Sequence, residues 1–139
     1  MRAGRGIVGD RFFGHGAHRT AAVTVLAAES LDHVALALGL DRAPDPALAR
    51  RNIVLRGFDV DALRGEAFSL DSGQGPVLFQ GHRPANPCAW MDVVLAPGAH
   101  KALRGRGGVR SEPLSDGVLV LGPAVLRTAA RSLREPTLV

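Results

Sequence analysis

The sequence contains one cysteine, few aromatic residues and one lysine. One cysteine among 139 residues excludes an internal disulfide and any site with four thiolate ligands in a single chain. Aromatic residues make up only 4%, tyrosine is absent, and no run of basic residues reaches about five, so nothing favours a nucleic acid partner. The thiol of Cys88 is therefore either a buried packing group or a chemically active one.

Long apolar runs are also missing. The run VLVLG at 118–122 is far shorter than the ~20 residues that a membrane-spanning helix needs, and the first residues have no apolar signal core. We therefore expect a cytoplasmic protein with no membrane partner. Hydrophobic residues amount to 46%, enough for one core in a chain of this length, so we expect a single domain over 1–139.

Arginine supplies the positive charge. The formal net charge is +4, and of the 17 basic side chains only Lys101 is a lysine. The codon bias of a GC-rich genome would explain this, because alanine, glycine, proline and valine are abundant as well. Alternatively, some arginines bind an anionic ligand, since the planar guanidinium matches phosphate and carboxylate groups. Composition leaves both explanations open.

Short apolar segments separated by glycine and proline predict a mainly-β fold, and six of them suggest a barrel. The candidate strands are 6–12, 22–26, 51–58, 66–70, 76–81 and 117–126. A helix is predicted over 27–40, where Leu31, Val34 and Leu38 recur at helical spacing before Gly39. A second helical stretch is expected at 88–95, with a helical turn at 99–105. The residues 127–139 are expected to form a tail.

Cys88 stands in the stretch HRPANPCAW, between proline residues. Pro84 and Pro87 restrict the backbone, and His82 and Arg83 add positive charge nearby. If Cys88 begins a helix, the helix dipole also favours its thiolate. Such a thiol could ligate a soft metal, carry sulfur as a persulfide or attack an electrophile, whereas the alternative is a small core residue. Residue chemistry alone leaves these alternatives open.

The other candidate sites are weaker. In RGRGG at 104–108, the glycines permit close approach and Arg104 and Arg106 could direct donors at an anion, but the Walker spacing is absent and a solvated turn is the alternative. His15 and His18 form no metal-binding motif. No serine lies in a GxSxG elbow, which excludes that class of serine hydrolase.

Taken in order, five blocks of the sequence resemble the MOSC domain, the C-terminal domain family of molybdenum cofactor sulfurases, from Gly6 to about Leu126. The blocks are GIVGDRF at 6–12, HRTAAVTVLAAESL at 18–31, RRNIVLRGFDVDALRGEAFSL at 50–70, NPCAWMD at 86–92 and ALRGRGGVRSEPLSDGVLVLG at 102–122. The resemblance implies a MOSC-type β-barrel, like that of pyruvate kinase, with a few short helices.

The same resemblance implies a molybdenum cofactor (molybdopterin) site. The family counterpart of Cys88 is the thiolate that ligates molybdenum or is proposed to carry sulfur. Positions that match the family motifs are expected to bind the anionic, phosphate-bearing cofactor. These positions are Arg51, Asn52, Arg106, Gly107, Arg11 and His82. The Asp10–Arg11 pair could instead brace the end of the barrel.

Three functions are compatible with this resemblance. The chain could be a small molybdenum protein that reduces N-hydroxylated or oxidised substrates, and it would then need a separate electron-transfer partner. It could instead be a non-redox module that receives sulfur from a donor protein as a Cys88 persulfide, or an interaction domain only. The family usually has a strand before its first block, but only five residues precede Gly6, so we expect that an upstream segment is missing from this sequence. An open barrel edge would follow, which a second subunit of a homodimer could cover.

Overall fold

The computed structural model describes residues 1–8, 14, 16, 22–128 and 136–139. The strands are β1 (Val23–Ala27), β2 (Ile53–Arg56), β3 (Ala67–Asp71), β4 (Pro76–Pro84), β5 (Val109–Pro113), β6 (Gly122–Pro123), β7 (Val125–Thr128) and β8 (Thr137–Leu138). The α-helices are α1 (Ala28–Leu38), α2 (Met91–Val94) and α3 (Ala99–Ala102). Two 3₁₀ turns cover Pro46–Ala49 and Val60–Leu63.

All eight strands belong to one sheet in the order β6-β8-β2-β1-β5-β4-β3-β7. The pair β1–β2 is parallel, with α1 in the connection between them, and the other pairs are antiparallel. The two edge strands, β6 and β7, are separated in the chain by Ala124 alone. Because the edges meet there, the sheet forms a nearly closed barrel, and the prediction of a mainly-β barrel is confirmed.

Buried and exposed side chains alternate along the strands, and the buried ones fill the interior of the barrel. On β4, Val77 and Phe79 are fully buried, whereas Leu78 between them is exposed. Phe79 also stacks on Phe68 of β3, with ring centroids 5.1 Å apart. Aliphatic residues of β1, β2, β5 and β7 complete this interior cluster. The barrel wall therefore gives the outward-facing residues of β1 and β5 a rigid support.

The helices pack outside the barrel. Leu31 of α1 lies in a second apolar cluster with residues of β1 and β2, and Val34 joins α1 to α2 and α3. The helix ends at Gly39, which has φ 67° and donates its N–H to the carbonyl of Ala35. The prediction of this helix is confirmed. The predicted second helical stretch is reduced to the four residues of α2.

Two expectations about strands need correction. In the run 117–126, Val118 and Leu121 are 58% and 77% exposed, and regular strand begins only with β6. The backbone N–H groups there go elsewhere, because Gly117 donates to the Met1 carbonyl and Val120 to the Ser72 hydroxyl. In the first candidate strand, 6–12, Gly6 forms an isolated bridge with Arg2, and residues 9–12 lie outside the described residues.

The chain end also differs from the expected tail over 127–139. It contributes to β7, and Thr137–Leu138 forms β8, which lies between β6 and β2. Leu138 is buried in the barrel cluster, so apolar burial holds the end of the chain in the sheet. Across the described ranges, no helix combines the length and apolar character needed to traverse a lipid bilayer.

Candidate functional site

The thiol of Cys88 is exposed. This contradicts the alternative of a buried packing group. The expected helix N-terminus is also wrong, since α2 begins three residues later, at Met91, whose N–H is bonded to the Cys88 carbonyl at 2.9 Å. A helix of four residues gives little dipole, so any effect on the thiol has to come from neighbouring side chains.

The segment before Cys88 is held by the end of β4 and by the turn before β5. After a bulge, Pro84 pairs with Val109, and the Ala85 N–H donates to the carbonyl of Gly108 at 2.8 Å. Gly107 packs against the same segment: a Cβ there would overlap the Ala85 carbonyl oxygen and lie 3.0 Å from Cδ of Pro87. Glycine at 107 therefore allows the backbone contact that places Cys88.

Arg51 joins these two segments. Its Nε donates to the Gly107 carbonyl at 2.9 Å and one Nη to the Ala85 carbonyl at 3.3 Å. Arg50, just before it, adopts the left-handed conformation with φ 57°, unusual for a residue other than glycine. This turn precedes β2 and places the Arg51 side chain across the chain segment that leads to Cys88.

Burial, Cys88 and Arg110 together determine the electrostatic environment of Arg51. Burial lowers the pKa of its guanidinium, the neighbouring Cys88 opposes that shift, and the nearby charge of Arg110 adds to it. Within residues 1–8, 14, 16, 22–128 and 136–139, no carboxylate forms an ion pair with Arg51. A partly buried cation beside a thiol and a second cation favours a bound anion.

Arg110 was missed by the reasoning from sequence. On β5, Val109 and Ser111 point into the barrel, so Arg110 between them lies on the outer face, directly opposite Thr24 of β1. The signal would have been the alternation in VRSEP, but with only one aliphatic residue this strand was not recognised.

Asn52 braces the barrel beside Arg51. Its Oδ1 accepts hydrogen bonds from the backbone N–H of Thr24 at 2.8 Å and from its hydroxyl at 3.1 Å. These bonds tie the start of β2 to β1. The structure thus places Asn52 next to Arg51 and, through Thr24, on the same outer face as Arg110.

His82 lies on the outer face of β4 and faces Glu112 of β5. Its Nε2 is buried and lies 3.4 Å from Oε1 of Glu112, but the two atoms do not form a hydrogen bond. These contacts tie His82 to the β4–β5 pair rather than directly to Cys88.

The side chain of Arg106 lines a pocket that does not include the Cys88 site. This pocket, of about 360 Å³, is also lined by Glu29, Asp59 and Asp61, and neither Cys88 nor Arg51 lines it. Burial and the charge of Asp59 raise the pKa of Asp61, against a backbone hydrogen bond from Gly108 and the charges of Arg64 and Arg106. Gly107 therefore contacts the Cys88 segment, whereas the side chain of its neighbour Arg106 lies near carboxylates.

The remaining candidates lie outside the described residues: Asp10, Arg11, His15 and His18. Among the residues that are described, no three His, Cys, Asp or Glu side chains form a group that could hold a metal ion. Cys88, Arg51 and Gly107 are thus the predicted residues that the structure brings together, with Arg110 as an addition.

Comparison with known proteins gives one family and two similar folds. A family model described as the MOSC domain matches residues 13–125. The structure resembles that of the YuaD protein from Bacillus subtilis, with TM-score 0.66 and 19% identity over 99% of this chain and 82% of that one. It also resembles YiiM from Geobacillus stearothermophilus, with TM-score 0.59 and 20% identity, covering 86% of this chain and 55% of that one. No curated protein sequence matches significantly.

Proposed function

Because the chain belongs to the MOSC domain family, we propose that it binds a pterin–molybdenum cofactor, with Cys88 as the metal ligand from the protein. The observation that supports this proposal is the exposed Cys88 thiol next to the partly buried Arg51, which has no carboxylate partner among the described residues. A thiolate is a suitable ligand for a soft metal, and guanidinium groups suit the phosphate of the cofactor.

The residues divide into three roles in this proposal. Cys88 would hold the metal, and Arg51 and Arg110 would neutralise the anionic part of the cofactor. Asn52, the next residue in the chain after Arg51, braces the start of β2 against β1 through Thr24. The assignments of Asn52, Arg106, Gly107, His82 and Arg11 as cofactor contacts stay predictions, although Gly107 already has a role in placing the Cys88 segment.

When bound, molybdenum would supply the redox chemistry, and the reduction of N-hydroxylated or oxidised substrates would require electrons from a separate partner. The protein's own residues would orient the cofactor and keep its negative charge compensated. A homodimer, a cytoplasmic location and a single domain over 1–139 stay predictions.

A second candidate is a sulfur carrier, in which Cys88 holds a persulfide without any metal. The exposure of the thiol favours this function, because a carrier has to reach both a donor and an acceptor. Both functions use the same thiol, but only the first requires metal and pterin.

The test is the molybdenum and pterin content of protein purified from cells able and unable to make the cofactor. Cofactor binding predicts near-stoichiometric metal and pterin from competent cells only, and their loss in Cys88→Ser without loss of folding. Folded wild-type protein from competent cells that carries neither molybdenum nor pterin would contradict the proposal and leave sulfur carriage as the candidate.

A further inference from the structure

Arg51, Arg110 and Cys88 form a cluster, and the backbone pairing explains why. Arg110 lies opposite Thr24, which holds the side chain of Asn52, the neighbour of Arg51. Arg51 in turn is bonded to Ala85 and Gly107, and Gly107 contacts Pro87, the residue before Cys88. Two strands and two turns thus bring a thiol and two guanidinium groups to one face of the barrel.

Two neighbouring guanidinium groups repel each other, and an anion that lies near both offsets this repulsion. Arg51 uses two of its N–H groups on backbone carbonyls, which are neutral. For Arg110, the described part of the chain provides no ion pair. The cluster is therefore positively charged, as a site that binds an oxyanion is. The group of the cluster that can become an anion is the thiol of Cys88.

We propose that this cluster binds thiosulfate, a dianion whose sulfonate group carries a transferable outer sulfur, and transfers that sulfur atom to Cys88. The proposal rests on sulfur carriage, the second function above, and names the donor for it. The sulfonate oxygens match the planar donor set of arginine, as phosphate and carboxylate oxygens do.

The transfer needs no other reactant. The Cys88 thiolate attacks the outer sulfur of thiosulfate, a new S–S bond forms to Sγ, and the original S–S bond breaks. Sulfite leaves with the electron pair of that bond, and the protein keeps a persulfide. The total charge is −3 on both sides, because a thiolate and a dianion become a persulfide anion and a dianion. The two arginines bind the sulfonate before transfer and the sulfite as it leaves.

The arginines also predict which donors react well. A dianionic donor gains from both guanidinium groups, whereas a neutral organic trisulfide gains from neither. Reaction at Cys88 should therefore depend on Arg110 for thiosulfate and not for the neutral trisulfide. Thiosulfate itself and the trisulfide are the probes of the experiment.

In the experiment, the reduced full-length protein is mixed with each donor, and the sulfur added to Cys88 is followed by mass spectrometry. Thiosulfate leaves a persulfide and releases sulfite, whereas attack on the central sulfur of the trisulfide leaves a mixed trisulfide on Cys88 and releases a thiolate. We expect one persulfide and one sulfite per protein from thiosulfate, and none in Cys88→Ser. Arg110→Met should slow the thiosulfate reaction about tenfold and leave the trisulfide reaction unchanged. Arg127→Met, an exposed arginine on β7, is the matched control and should react like the wild type.

A measurement on the wild type keeps the test valid if Arg110→Met fails to fold. Sulfate is a tetrahedral dianion that cannot donate sulfur, so it should inhibit the thiosulfate reaction and spare the trisulfide reaction. A mixed trisulfide on Cys88 from the trisulfide, with no persulfide from thiosulfate, would overturn the assignment of thiosulfate as the donor and leave sulfur carriage intact. Sulfur transfer to Cys88 from neither donor in folded protein would overturn both. A thiosulfate reaction insensitive to both Arg110→Met and sulfate would show that the cluster does not bind the donor.

Discussion

The two sides of the turn Arg106–Gly107–Gly108 carry opposite charge. On one side, Gly107 contacts the Cys88 segment and accepts a hydrogen bond from Arg51. On the other, Arg106 lines a pocket with carboxylates, among them Asp61, which interacts with the Gly108 backbone. Residues adjacent in the chain therefore serve two different environments.

The difference between the sides lies in how charge is compensated. In the acidic pocket, carboxylates have Arg106 and a backbone N–H as favourable neighbours. On the Cys88 side, the described residues offer Arg51 only carbonyl dipoles and the thiol. A ligand anion is thus favoured on the Cys88 side, although the same turn builds both surfaces.

The largest expected effect comes from filling the contact that joins the turn to the Cys88 segment. In Gly107→Ala, the new Cβ overlaps the Ala85 carbonyl oxygen, so one of the two backbones has to move. We expect a loss of about 3 kcal/mol in the free energy of unfolding, measured by urea denaturation. The rate at which a neutral thiol reagent modifies Cys88 should change as well.

Gly105→Ala is the control in the same turn. Gly105 has φ 72° and open space around it, so alanine there costs only about 1 kcal/mol of backbone strain and should leave the reactivity of Cys88 unchanged. If Gly107→Ala is no more destabilising than Gly105→Ala, the close contact does not hold the segment.

A smaller effect is expected when Arg51 is replaced by lysine. In Arg51→Lys the positive charge remains, but one ammonium group cannot reproduce the bonds of the guanidinium to both Gly107 and Ala85. We expect a loss of about 1–2 kcal/mol in the free energy of unfolding. Arg56→Lys, on an exposed ion pair with Asp32, should lose less than about 0.5 kcal/mol. Equal losses in the two variants would mean that Arg51 does not join the segments.

These comparisons indicate where sequence reasoning works. Local patterns predict α1 and the cores of β1 to β4, because 3.6-residue and two-residue periods, glycine and proline act within a few residues. The association of Cys88 with Arg51 and Gly107 was suggested only by the resemblance to a family. The long-range contacts that hold it, such as Arg51 to Ala85, have no local signal.

Other features depend on pairing partners that a local pattern does not contain. The run VLVL has strong strand propensity, yet the N–H of Val120 is bonded to the Ser72 hydroxyl, and the N–H of Gly117, just before the run, to the Met1 carbonyl. Conversely, Ser111 is fully buried in a strand with little apolar character, because β1 and β4 flank it on both sides. The position of Arg110, and hence the second cation of the cluster, followed from that strand and was missed with it.

The smallest expected effect tests the acidic side. The pKa of Asp61 is raised in the folded protein, mainly by burial, so the folded state binds more protons than the unfolded state between the ordinary value of 3.8 and the raised value. Folding stability from this group is therefore lost as the pH rises through that window. Asp61→Asn removes the charge and should stabilise the protein near neutral pH by no more than about 0.5 kcal/mol.

Below pH 3.8 the carboxyl is protonated in both states, and the gain from Asp61→Asn should vanish. Asp32→Asn should behave oppositely, because the hydrogen bond from Arg56 lowers the pKa of Asp32: it should destabilise near neutral pH, and this effect should fade as the pH falls. Urea denaturation of the three proteins across this pH range measures both signs. If Asp61→Asn is destabilising near neutral pH, the carboxylate is well compensated by Arg106 and the Gly108 N–H, and burial is not the dominant influence on it.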